Sequence, residues 1–203
     1  MIILCGDCAI IQLELKSSQR FLRNSKLVES LVAKSNIGVE DIVYEIGPGK
    51  GIITEQLAKR CRKVVAIELD RKLYKELVEK FRENSVVEIQ FGDFLRYNLP
   101  KEEAYKVFSN IPFNITADII SKLTSINTSL LEAYLIVQKE AAERFAGRPY
   151  NKECQFSLFL KPFFRFKILH RFKQDDFHPK PHVEVVLLGI TRRKYFLVKE
   201  KQR

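Results

Sequence analysis

From residue 41 to residue 145 the chain alternates short β-branched and aliphatic runs with stretches of helical period, and this alternation limits the folds open to it. Asp41–Ile46, Lys63–Glu68, Val86–Phe91, Tyr105–Ser109 and Leu131–Val137 read as strands. Ile52–Cys61, Arg71–Phe81, Ala117–Leu123 and Lys139–Phe145 read as helices, with Leu73, Leu77 and Phe81 spaced for one face. A further helix over Asn24–Ser35, capped by Asn24 or Ser25, precedes them. Strands joined through helices run parallel, and the helices cover both faces of the sheet. The last third differs: Gln155–Phe164 reads as a helix, while Phe166–Phe172 and Val183–Ile190 are strand-like with a Pro-containing loop between them. Two late strands without a connecting helix fit an antiparallel pair at one edge of the sheet.

The chain of 203 residues suffices for one well-buried domain. Its net charge is +10, and the excess is concentrated late. From Lys161 onward twelve Lys or Arg face four acids, which points to a polyanionic partner, nucleic acid first. The alternative is a merely solvated basic surface. No apolar run reaches the length of about 20 residues that a membrane helix needs. Met1–Ile11 is apolar but carries Asp7 and has no basic leader, so a signal peptide is not expected and the cytoplasm is. Cys5 and Cys8 form a lone C-x-x-C, two of the four ligands of a structural zinc site, so no metal is expected.

Four motifs fall at the ends of successive strands. Glu45-Ile46-Gly47-Pro48-Gly49-Lys50-Gly51 follows the first strand, and its glycines let a ligand approach the backbone near a helix N-terminus. The G-x-G-x-G spacing fits a nucleoside cofactor without a pyrophosphate better than NAD. Glu68, at the tip of the next strand, suits the two hydroxyls of a ribose. Asp93, after the third strand, suits the amino group of an adenine ring. Asn110-Ile111-Pro112-Phe113 follows the fourth: an amide oxygen that accepts from an exocyclic amine, a proline that stiffens the turn, and a ring that stacks on a base. Taken alone, each motif reads equally well as a turn or a solvated acid. Together they converge on one crevice, at the carboxyl ends of parallel strands.

With Ser18-Gln19-Arg20-Phe21-Leu22, Gln138-Lys139-Glu140 and Phe177-His178-Pro179-Lys180-Pro181, these motifs form an ordered set over residues 18 to about 190. In that order they resemble the rRNA adenine-N6 methyltransferases that use S-adenosylmethionine. Two branches of the family compete: the macrolide-resistance (Erm) enzymes acting on 23S rRNA, and the small-subunit 16S rRNA dimethyltransferases of ribosome biogenesis. The wording Asn-Ile-Pro-Phe and Phe-His-Pro-Lys-Pro is more similar to the Erm branch.

The resemblance implies an α/β, Rossmann-like seven-strand methyltransferase fold, mostly parallel with an antiparallel edge pair and helices on both faces. It implies an N-terminal extension over 1–17, a catalytic domain over 18–190 and a basic tail over 191–203, without the family's C-terminal helical domain. Gln19, Arg20, Leu22, Gly47, Gly49, Glu68, Asp93 and Asn110 would hold S-adenosylmethionine: Gly47 and Leu22 at its methionine end, Glu68 at the ribose, Asp93 at the adenine. Asn110 and the Ile111 carbonyl would hold the target amine, with Pro112 stiffening the turn. Phe113 would stack on the adenine, and Phe177 would contact the base or its ribose from the other side. Arg20 departs from the family, which has Asn or His there, and could meet RNA phosphate instead. Arg192-Arg193-Lys194 and Arg20, Arg23 and Lys26 would carry RNA affinity. The expected partner is ribosomal RNA presenting an unpaired or flipped adenine, with no membrane and a monomeric protein. A non-catalytic RNA-binding factor on the same fold and, more distantly, an NAD-dependent oxidoreductase are the competing functions.

Overall fold

The computed structural model describes residues 21–125, 127–195 and 197. The expectations placed on Cys5, Cys8, Ser18, Gln19 and Arg20 lie outside the described residues. The chain opens with a two-residue strand β1 (Phe21–Leu22) and helix α1 (Ser25–Lys34), whose N-cap Asn24 accepts a hydrogen bond from Leu27 N at 3.0 Å. Strands β2 (Ile42–Ile46), β3 (Lys63–Glu68), β4 (Val87–Phe91), β5 (Tyr105–Asn110) and β6 (Leu130–Gln138) follow. Between or after them come helices α2 (Ile52–Ala58), α3 (Arg71–Lys80), α4 (Thr116–Leu123) and α5 (Lys139–Ala146). The chain then forms α6 (Gln155–Leu160), β7 (Phe164–Arg171), the short β8 (Phe177–His178) and β9 (Val185–Arg192).

Seven strands make one sheet in the order β4-β3-β2-β5-β6-β9-β7. β4, β3, β2, β5 and β6 pair in parallel, while β9 runs antiparallel to both β6 and β7. The period of two in the strands separates two cores. Ile42, Tyr44, Ile46, Val65 and Ile67 pack with α4 and α5 on one face. Val43, Val64 and Ala66 pack with Leu31 of α1 and Leu57 of α2 on the other. The expected mixed sheet with helices on both faces is therefore found.

Two local expectations change. The helix expected over Gln155–Phe164 ends at Leu160, and β7 begins at Phe164 instead of Phe166. Pro162 stands between them and cannot supply the amide a continuing helix needs. β1 and β8, which the periodicity did not show, pair with each other as a separate antiparallel sheet, Leu22 opposite Phe177 and Phe21 opposite His178. Among the described residues no helix is long and apolar enough to cross a membrane.

Candidate active site

The order β3-β2-β5-β6 makes β2 and β5 neighbours at the point where the chain reverses its direction of winding across the sheet. In open α/β sheets a crevice forms there, beyond the carboxyl ends of the strands. The residues lining it include Leu22, Gly47, Gly49, Asn110, Ile111 and Phe113. The loop after β2 turns through three residues of positive φ, Gly47 at 60°, Gly49 at 59° and Gly51 at 76°. The first two glycines serve different ends. A Cβ on Gly47 would meet no atom within 4 Å, whereas one on Gly49 would lie 2.8 Å from the Phe21 ring. Gly47 thus leaves open space, and Gly49 seats β1. Lys50 brackets the same Phe21 ring from 5.6 Å.

Alanine at the two positions therefore separates the roles. Both variants carry the cost of an L-residue at positive φ, about 1–2 kcal/mol. Gly49→Ala is expected to lose about 1 kcal/mol more, because Phe21 must move. Gly47→Ala is expected to keep the better stability yet bind S-adenosylmethionine about tenfold more weakly, because its methyl enters open space that the family resemblance assigns to the cofactor. Urea denaturation beside calorimetric cofactor titration reads both quantities. Equal stability losses in the two variants would contradict the seat assigned to Gly49.

Glu68 ends β3 with only 2% of its surface exposed. Its Oε2 accepts from Gly49 N at 3.1 Å and its Oε1 from Asp70 N at 2.9 Å. Burial pushes this carboxyl up from its ordinary range, and the Asp70 and Gly49 amides pull it partly back. The Leu69 amide bonds the same carboxyl, which is thus fixed by three backbone amides. Asp93 caps a 3-10 turn over Phe94–Arg96, accepting from Leu95 N at 2.8 Å. The acid sits beside Gly92, where an added Cβ would meet nothing within 4 Å. An open glycine cradle, a fixed carboxylate at one strand tip and a second at the next match the donor and acceptor needs of S-adenosylmethionine, so the residues present fit that cofactor.

Asn110 closes β5 with its Oδ1 buried at the crevice. Ile111 is buried, and Pro112 (φ −59°, ψ 129°) leads into a 3-10 turn over Phe113–Ile115. The Phe113 carbonyl accepts from Thr116 Oγ1 at 3.0 Å, which anchors that turn to the first residue of α4. Glu68, Asp93 and Phe177 stand outside the lining of this crevice. Phe177 is 1% exposed and packs edge-on against Phe172 at 5.3 Å, while its backbone pairs with Leu22. Arg192 and Arg193 lie at the opposite end of the sheet, where they donate to the carbonyls of Thr128 at 2.5 Å and Lys161 at 2.7 Å. Arg23 is on the crevice side, its amide donating to the Asp176 carbonyl at 3.0 Å.

The sequence singled out Glu45 only as part of a motif, yet it lines the crevice with 1% of its surface exposed. Thr54 Oγ1 donates to its Oε2 at 2.6 Å, and burial pushes its carboxyl up to about 8. An acid inside an otherwise apolar strand was the available signal. Among the described residues no group of three or more His, Cys, Asp or Glu could hold a metal ion.

Known proteins are similar to this chain in sequence and fold. An rRNA adenine N-6-methyltransferase of Limosilactobacillus reuteri is 36% identical over 178 residues, 88% of this chain and 71% of the relative. The crystal structure of the 23S rRNA methyltransferase ErmE superposes with a TM-score of 0.81 at 27% identity, covering 88% of this chain and 72% of its own. A dimethyladenosine transferase from Plasmodium falciparum shares the fold with a TM-score of 0.73 at 24% identity, over 85% of this chain and 63% of its own. Residues 11–202 match the ribosomal RNA adenine dimethylase model, and the chain belongs to that family of S-adenosylmethionine-dependent methyltransferases.

Proposed function

We propose that the crevice between β2 and β5 is where the N6 of an adenine in 23S rRNA receives a methyl group, in the manner of the macrolide-resistance enzymes. One observation carries this reading: Asn110, Ile111 and Phe113 share a single crevice with Gly47 and Gly49, so an amine-holding turn and a cofactor loop face each other. The large-subunit RNA is favoured because the chain superposes on the 23S rRNA methyltransferase ErmE with a TM-score of 0.81 at 27% identity.

The N6 lone pair is delocalised into the adenine ring, which makes the amine a poor nucleophile. Asn110 Oδ1 and the Ile111 carbonyl accept from its two N–H groups and hold the nitrogen toward a tetrahedral geometry. S-adenosylmethionine, when bound, supplies a sulfonium-activated methyl group, so alignment is the main requirement. The Phe113 ring stacks on the base and, with the carbonyl dipoles, favours the positive charge that develops on N6. Glu68 accepts from the ribose hydroxyls, and Asp93 accepts from the cofactor's adenine amine. Leu22 covers the methionine end. Phe177, the ladder partner of Leu22, steadies that residue at the site. The base enters from an unpaired or flipped position, where unstacking costs least. Ribosomal RNA as substrate supports the cytoplasm.

Incubation with labelled S-adenosylmethionine and separated ribosomal RNAs, followed by mapping of the modified base, tests the proposal. Transfer to one adenine of 23S rRNA is expected. Transfer to 16S rRNA alone would assign the chain to the other branch, and cofactor binding without transfer would leave the non-catalytic RNA-binding reading.

A further inference from the structure

β2 and β5 part company before they reach the crevice. Their backbone register covers only Val43 opposite Lys106 and Tyr44 opposite Val107. On the outer sides the pairing continues to the strand ends, with Ile46 opposite Ile67 and Asn110 opposite Ile136. One side chain spans the opening. Ser109 Oγ accepts from Ile46 N at 3.2 Å and donates to Ile46 O at 2.5 Å. Ser109 is fully buried, so this hydroxyl takes the place of the missing rung of the ladder. The residue after Ile46 is Gly47, and the residue after Ser109 is Asn110.

We infer that Ser109 is a positioning residue: its hydroxyl sets the separation between the cofactor loop and the amine-holding turn. The inference rests on the roles given above to Gly47 and Asn110. A backbone rung would draw the strands together and close the crevice. With no rung at all, the Ile46 amide and carbonyl would be left buried without partners, and the two strand tips would be free to drift. A hydroxyl is long enough to hold the tips apart and polar enough to satisfy both groups. Alignment of reacting atoms is sensitive to such drift, and a displacement of about 1 Å costs on the order of 100-fold in rate.

Ser109→Ala is expected to lower kcat for methyl transfer by about 30- to 100-fold, with the calorimetric Kd for S-adenosylmethionine within about threefold of the parent. The Ile46 amide, followed by NMR hydrogen exchange, is expected to lose about tenfold or more of its protection, with little change at Val65. Ser109→Thr keeps the hydroxyl and is expected to restore both readouts. Unchanged kcat in Ser109→Ala, or a loss confined to cofactor affinity, would overturn the positioning role. The exchange readout needs no turnover, so it judges the Ser109 bridge even if the wild-type chain transfers no methyl group. Unchanged protection of Ile46 in Ser109→Ala would overturn the bridge itself.

Discussion

Asn110→Ala is expected to reduce methyl transfer by about 10²–10³-fold while S-adenosylmethionine binds within about fivefold of its original affinity. The side chain stands at the tip of β5, with its oxygen buried at the crevice. Alanine keeps the strand and the Pro112 turn but removes the acceptor proposed to hold one N–H of the target amine. Losing a preorganised group that acts on the developing charge costs about as much as losing one donor of an oxyanion hole. Uniform binding contributes little here, so the loss belongs in kcat and not in the KM for RNA. Single-turnover transfer to 23S rRNA, with cofactor titration beside it, separates the two. Full transfer activity in the variant would remove Asn110 from the mechanism, whatever becomes of the fold.

The second large effect is one of stability against pH. Glu45 is buried, and its carboxyl is pushed up to about 8, against an ordinary value near 4.3 when unfolded. Between these values the unfolded chain has released the proton and the folded chain still holds it. Stability is therefore full below about 4.5 and falls as pH rises toward about 8. The size of the fall is on the order of 5 kcal/mol. Glu68, raised in the same direction by burial, adds to the slope. Glu45→Gln keeps the shape and still accepts from Thr54, so its stability is expected to match the parent near pH 5 and exceed it by pH 8.5. Urea unfolding across that range measures the difference, and identical slopes for the two proteins would show that Glu45 ionises in the fold as it does outside it.

Much of this was legible in the chain because strand ends and motifs coincide. Lys63–Glu68 was read with its observed limits, and the cap at Asn24 was found where a side-chain acceptor precedes the first helical turn. The glycine loop and the Asn110 turn could be placed in one crevice because both follow apolar runs that read as parallel strands, whose carboxyl ends face one side of the sheet. Other features depend on partners far along the chain. Two-residue strands carry no period, so nothing local marks Phe21–Leu22 and Phe177–His178 as a pair. Ser109 looks like any small residue until Ile46 is set beside it. Phe177 showed its ring but not its direction, since side-chain orientation in a two-residue strand follows from the register of its partner.

That small pair, β1 with β8, has a thermodynamic consequence. One strand carries Leu22 at the crevice, and the other carries Phe177 and His178 and leads into the loop that holds Lys180. Their backbones are each other's only ladder among the described residues, with Arg23 N and the Asp176 carbonyl extending it by one bond. Immobilising either strand immobilises both, so the entropy of ordering them is spent once for two ligands. Were the cofactor to contact Leu22 and the RNA to contact the β8 side, as the family resemblance implies, whichever arrived first would leave less disorder for the second to remove. The two affinities are then reciprocally linked, each ligand tightening the other by the same factor.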